Sequence, residues 1–277
     1  MYSVLSDHLH PIADTAKKLL EERFDKIKLV GFETSIDKSI SWKPTILWKD
    51  SYGFIACEVS DRPFGPILEI AHSQILKHGI PVRIFTAYPT DNDFRSSEIT
   101  RDINFAKSNA IGIINVNDDD TGDIIRNALS VPLYISSVDF STLVKKLKGD
   151  AKGAFDTYMG GDPTHGVQEL GQIVENIIRN LATDAKKKGV LTGSVNPDKD
   201  PQSKIIESLM NSNVIKNGVL GRCRGYAEDR NAVSHKPRGV KQIQEQQKRL
   251  KENFQMGIRI LEELPSAIKE KGFRLKI

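Results

Sequence analysis

The chain changes its hydrophobic period part-way along. In the first half, short apolar runs bounded by turn residues alternate with segments of helical spacing. The runs are Pro44–Trp48 (PTILW), Gly53–Val59 (GFIACEV), Pro81–Tyr88 (PVRIFTAY) and Ala110–Val116 (AIGIINV). They are rich in Ile, Val and Phe and suit buried strands. Between them, Ile67, Leu68, Ala71, Ile75 and Leu76 fall on one face of a helix that Gly79 should stop. Ala13–Ile27 and Ser97–Ser108 read as two more helices, and Pro132–Ser136 as a last short strand. Strands alternating with helices imply an α/β sheet with helices packed against it.

The second half carries almost no strand signal. Asp162-Pro163 opens a helix, with Asp as cap and Pro at the first position. Leu170, Val174, Ile177, Ile178 and Leu181 form its apolar stripe. A turn-rich loop, Thr192–Asp200, leads to a second helix with Ile205, Ile206, Leu209 and Met210. A third helix is expected from about Leu220 to His235, stopping before Pro237. A fourth runs from Val240 to about Lys271, with Ile243, Leu250, Phe254, Ile258, Leu261 and Leu264 inward. The Gly-rich, charged stretch between Thr142 and Asp162 reads as the junction. We therefore expect an α/β domain over 1–150 and an all-α domain over 151–277, a division that 277 residues readily accommodate. No internal repeat is visible.

Composition narrows the function classes. A net charge of +4 is compatible with a nucleic-acid partner without arguing for one. The two cysteines, Cys57 and Cys223, are far apart and outside any CxxC pair, which argues against a structural zinc site or a disulfide framework. The first residues, MYSVLSDHLHPIADTAKK, lack a basic start followed by an apolar run, and no stretch has the length of a membrane span. The expected location is the cytoplasm, with no membrane partner.

The stretch Glu228–Pro237 (EDRNAVSHKP) concentrates chemistry at the end of the third helix. His235 lies five positions beyond Arg230, so a slight unwinding brings both side chains to one spot. Arginine grips phosphate with a planar fork and stays charged, while histidine moves protons near neutrality. The pair suits attack of an RNA 2′-hydroxyl on its neighbouring phosphate, a reaction that needs no metal and that spares DNA. The plain alternative is a basic helix end that complements the helix dipole.

Arg230-Asn231-Ala232-Val233-Ser234-His235 resembles the R-x4–6-H motif of the HEPN superfamily, including the frequent Asn after the Arg. Its place late in the third of four helices, before Pro237 and a long helix, is similar too. Glu175 and Arg179 match the family's acidic and basic pair on the first helix, although alone they would be an ordinary i,i+4 ion pair. The resemblance covers roughly residues 150–277. It implies a four-helix HEPN bundle and a metal-independent endoribonuclease without a cofactor, working as a homodimer whose two Arg-His sets form one cleft. On this chain Arg230 would hold the scissile phosphate, His235 would move a proton and Asn231 would position either. Glu175 and Arg179 would shape the cleft, and Arg222 and Arg224 would extend an RNA-binding surface. A toxin or phage-defence role follows from the same resemblance. The rival is a non-catalytic HEPN interaction module.

The segment KPTILWKDSYGFIACEVSD resembles the core of the PD-(D/E)xK nuclease-like fold, as in restriction endonucleases, and Leu68–Thr86 continues the match with Gln74 in its helix. That chemistry needs two acids on a magnesium ion and a lysine beside the attacking water. Here Pro44-Thr45 stands for Pro-Asp, and Glu58-Val59-Ser60 for Glu-x-Lys. Asp50 and Glu58 are the remnant metal candidates, with Asp61, Lys49 and Lys77 nearby. The expectation is a degenerate domain, with Glu58 a buried structural acid, that senses a protein or nucleic-acid trigger or targets the RNA. A metal-dependent DNA nuclease is the other rival. The run Asp118-Asp119-Asp120 reads as a solvated loop, and His8, His10, His72, His78 and His165 as surface or capping residues.

Overall fold

The computed structural model describes residues 2–275 except Val4, Phe64 and the segments 91–96, 192–193 and 233–239; of Asn231, Ala232 and Val240 it describes the backbone. The chain divides into two compact units. One holds residues 1–136, 159–161 and 236–248, and the other holds 137–158, 162–235 and 249–277.

The first unit is mixed α/β. Helix α1 (His10–Arg23) precedes strands β1 (Lys28–Phe32), β2 (Ile46–Asp50) and β3 (Gly53–Val59). Helix α2 (Pro66–His78), β4 (Val82–Pro89), α3 (Ser97–Ser108), β5 (Gly112–Val116) and β6 (Gly122–Arg126) follow. The six strands lie in sequence order in one sheet. β1, β2 and β3 form an antiparallel meander, β3, β4 and β5 run parallel, and β6 returns antiparallel. The meander has a tight turn at its centre: the Asp50 carboxylate accepts the Tyr52 N–H at 2.6 Å. Gly53 closes that turn at φ +131°, and a Cβ there would sit 2.1 Å from the Pro81 carbonyl oxygen. Only glycine fits both constraints.

Period-two alternation sends the strands' side chains to two cores. Ile46, Trp48, Ile55, Cys57, Val59 and Phe85 pack with Ile12, Ala13, Ala16 and Leu20 of α1. Leu47, Ala56, Val82, Ile84 and Ile113 pack with Leu68, Ala71 and Ile75 of α2 and Ala106 of α3. Helices on both faces explain why the central strands read as continuous apolar runs. Helix α2 begins on Pro66 and ends on Gly79 in the left-handed conformation, as its sequence requires.

The second unit is helical: α4 (Lys145–Met159), α5 (Pro163–Lys187), α6 (Gln202–Asn211), α7 (Asn217–Ala232) and α8 (Val240–Glu270), whose first nine residues belong to the sheet unit. Asp162 caps α5 by accepting the His165 N–H at 3.0 Å. The expected α5 stripe is buried, as are Ile205, Ile206 and Leu209 of α6 and Phe254, Ile258, Leu261 and Leu264 of α8.

Several elements depart from expectation. The charged stretch near residue 150 is helix α4 rather than a linker. Leu147, Ala151, Ala154 and Tyr158 recur at helical spacing and are buried, with the Tyr158 ring 4.5 Å from that of Phe254. Among the described residues the helical unit therefore has five α-helices where the sequence suggested four. Pro132–Ser136 is not a strand; a 3-10 turn at Val131–Leu133 takes its place, since Pro132 has no N–H for a ladder. β1 and β6 were not foreseen, because both are edge strands with exposed positions and no apolar run. α1 stops at Arg23, before Lys26 takes a positive φ of 63°.

Candidate functional site

Helices α5 and α7 run side by side in the same direction and meet at successive rungs. At the first, the Tyr226 hydroxyl donates to the Val167 carbonyl at 3.1 Å. Burial pushes the Tyr226 phenol up, so it stays a neutral donor at any working pH. One turn further along both helices, Arg230 lies across Gly171. A Cβ at Gly171 would fall 2.2 Å from Arg230 Nη1. The guanidinium then reaches Glu175, with Nη2 3.7 Å from Oε2.

Glu175 is shared between two arginines. Its other oxygen, Oε1, accepts Arg179 Nε at 2.9 Å and Nη2 at 2.8 Å. Arg179 is anchored in turn by the loop leading into α6, donating through Nη1 to the carbonyls of Pro197 and Asp200. The arginine side chains keep 20 % (Arg230) and 26 % (Arg179) of their exposure, so neither is a free surface charge. Two guanidiniums around one carboxylate leave one positive charge over in a partly desolvated place, which suits an anion such as a phosphodiester. The pair expected at Glu175 and Arg179 thus lies at the same place as Arg230.

Asn231 follows on the last described turn of α7, and its side chain lies outside the description. His235 lies outside the described residues altogether. The Arg222 and Arg224 side chains are both engaged, Arg222 with Glu263 and Arg224 with Glu228 at 3.0 Å. Both side chains are exposed, and each is paired with a neighbouring carboxylate.

Gly171 escaped the sequence reading. A glycine inside an amphipathic helix signals close approach, but which side chain approaches depends on the register of α7 against α5.

On the sheet unit, the residues aligned with a nuclease site are filled in by the protein itself. Glu58 is half-buried and accepts the Trp42 indole Nε1–H at 2.9 Å. Burial pushes its carboxyl up to about 7, opposed by the hydrogen bonds from Trp42 and the Thr45 backbone. Thr45 takes the Val59 N–H on its hydroxyl at 3.1 Å, and Gln74 Oε1 accepts the Ser41 N–H at 2.9 Å. Trp42, 2 % exposed, therefore occupies the space in front of Glu58.

Asp50 and Glu58 are not brought together. Asp50 pairs with Gly53 across the hairpin, so Glu58 lies five residues, about 17 Å, further along β3. By the strand alternation they also point to opposite faces. Asp50 holds Arg83 at 3.1 Å, Asp61 holds His8 at 2.9 Å, and Lys49 lies over the Phe54 ring. Among the described residues no three His, Cys, Asp or Glu side chains cluster as a metal site. Asp119 serves its own loop by accepting the Thr121 N–H at 3.1 Å.

One histidine corrects the sequence reading. His72 is buried on α2, edge-on to Tyr134 at 5.0 Å, and burial pulls its pKa down to about 4. Both cysteines are buried free thiols. Among the described residues no helix is long and apolar enough to cross a membrane. Comparison with protein-family models, curated proteins and solved structures returns no match for this chain.

Proposed function

We propose that the helical unit is a metal-independent endoribonuclease of HEPN type and that the sheet unit senses or targets. The observation that carries this reading is Arg230, late in α7, turned back onto the Glu175–Arg179 pair of α5. A bare Arg-x4-His spacing arises easily by chance. An arginine of that motif sharing a carboxylate with a second arginine, in a cluster with surplus positive charge, is far more specific.

The chemistry runs as follows. The 2′-oxygen attacks the adjacent phosphorus as its proton is removed, and the P–O5′ bond breaks as the leaving oxygen gains a proton. The products are a 2′,3′-cyclic phosphate and a 5′-hydroxyl. Arg230 stabilises charge on the non-bridging oxygens, with Glu175 and Arg179 setting its direction. His235 carries a proton in one of the two transfers, and Asn231 orients it or the phosphate. A homodimer would supply the second histidine. RNA is the partner, no cofactor is required, and a cytoplasmic toxin or phage-defence effector is the setting in which such an enzyme would act.

The element order of the sheet unit, a helix, a three-strand meander, a helix and a parallel strand, supports a nuclease-like fold. The Trp42–Glu58 contact favours binding over cleavage there, since an indole N–H takes an oxygen of the acid that a metal would need. A metal-dependent DNA nuclease built on Asp50 and Glu58 has less support, as the two carboxylates lie on opposite faces of the sheet. The non-catalytic HEPN module remains the rival for the helical unit.

The test is RNA cleavage by the full chain in EDTA, beside His235→Ala. Cleavage that leaves cyclic phosphate ends and disappears in the variant is expected. Equal cleavage by both proteins removes His235 from the mechanism. Activity that EDTA abolishes would transfer the chemistry to a metal site.

A further inference from the structure

We infer that Gly171 is a positioning residue for Arg230, an inference that rests on the ribonuclease reading above. The observation is steric. A Cβ built on Gly171 would lie 2.2 Å from Arg230 Nη1, 2.6 Å from Cδ and 3.0 Å from Cζ, and these are its three nearest neighbours. The arginine fills the volume that any other residue at 171 would need. Its guanidinium crosses α5 where the helix surface is bare and so arrives at Glu175, one turn on.

A planar fork is useful only when it faces the right way. Displacement by about an ångström of a group that holds a reacting phosphate costs on the order of 100-fold in rate. In Gly171→Ala the clash falls on the flexible end of a side chain, so Arg230 swings out while α5 keeps its course. Gly166, on the same helix, is the contrast. A Cβ there would meet the Ala154 carbonyl oxygen and the Tyr158 Cβ, each at 2.7 Å. No side chain can swing aside at that position, so α4 itself must move.

The experiment uses the full chain as wild type, Gly171→Ala, Arg230→Ala, the double variant and Gly166→Ala. Each is followed by thermal melting and by steady-state cleavage of RNA in EDTA. Alanine is the better helix former, so Gly171→Ala should raise Tm by about 2–4 °C where Arg230 is already gone. With Arg230 present that gain should vanish. Gly171→Ala should lower kcat about 100-fold with little change in KM and in Tm. Gly166→Ala should do the reverse, lowering Tm while the folded molecules keep their kcat.

Full cleavage by Gly171→Ala overturns the inference. So do equal Tm gains in the two backgrounds, since Arg230 would then not be seated on Gly171. Absence of cleavage by the wild type is a separate failure. It removes the ribonuclease reading and with it any catalytic role for Gly171, while the paired melts still report whether Arg230 occupies that seat.

Discussion

Replacing Glu58 by Gln should abolish a specific pH dependence of stability. Glu58 is half-buried, and desolvation pushes its carboxyl from an ordinary 4.5 to about 7. Each tenfold in proton affinity is about 1.4 kcal/mol, so the folded state favours the neutral acid by about 3 kcal/mol relative to the unfolded chain. Between pH 4.5 and 7 the folded protein keeps a proton at Glu58 that the unfolded chain has lost. Stability is therefore fully present below about 4.5 and is lost as pH rises through 7. His72 works the other way. Its pKa falls from 6.5 to about 4, so its contribution is present above 6.5 and lost as pH falls through 4. The two slopes nearly cancel between pH 4.5 and 6.5, and the wild-type profile alone would hide both.

The comparison with Glu58→Gln exposes the carboxyl. Glutamine keeps the size and the oxygen that accepts the Trp42 N–H, so the two proteins should be nearly equal at pH 4.5. By pH 7.5 the variant should be more stable by about 3 kcal/mol. Urea unfolding read by tryptophan fluorescence measures this directly. Trp42 and Trp48, the two tryptophans of the chain, are both buried in the sheet unit, so the signal reports that unit. Parallel stability profiles for wild type and variant across pH 4.5–7.5 would refute the reasoning, because Glu58 would then titrate alike in the folded and unfolded states.

Two further predictions follow from the same unit. Trp42→Phe keeps the buried ring but removes the indole donor, and should destabilise by about 1–3 kcal/mol, more at pH 8 than at pH 5 in the same urea assay, because the unpaired group is then a charge. Gly53→Ala forces a side chain into a positive-φ turn and onto the Pro81 carbonyl; a loss of at least about 3 kcal/mol is expected, and a loss below about 1 kcal/mol would show that the hairpin relaxes freely.

Much of the chain was legible because short-range physics decided it. The short apolar run Gly53–Val59, period 3.6 in α5 and α8, and the Gly79 and Asp162 signals act over a few residues, and the structure follows them. β1 and β6 were illegible for the opposite reason. Their side chains are half exposed, and what makes them strands is the ladder supplied by β2 and β5. α4 was misread because Gly149, Gly153 and four lysines hide an apolar stripe whose meaning depends on the partner it packs against.

The candidate site divides along the same line. Residue types and spacing determined that Arg230, Glu175 and Arg179 could each do phosphate chemistry, since guanidinium and carboxylate carry that capacity wherever they stand. Only the tertiary structure decided that one carboxylate is shared by both arginines, that Gly171 is the bare patch Arg230 crosses, and that Trp42 fills the space before Glu58. Those facts depend on the register between elements tens of residues apart. Register is chosen by the packing of whole faces, which no local stretch of sequence encodes.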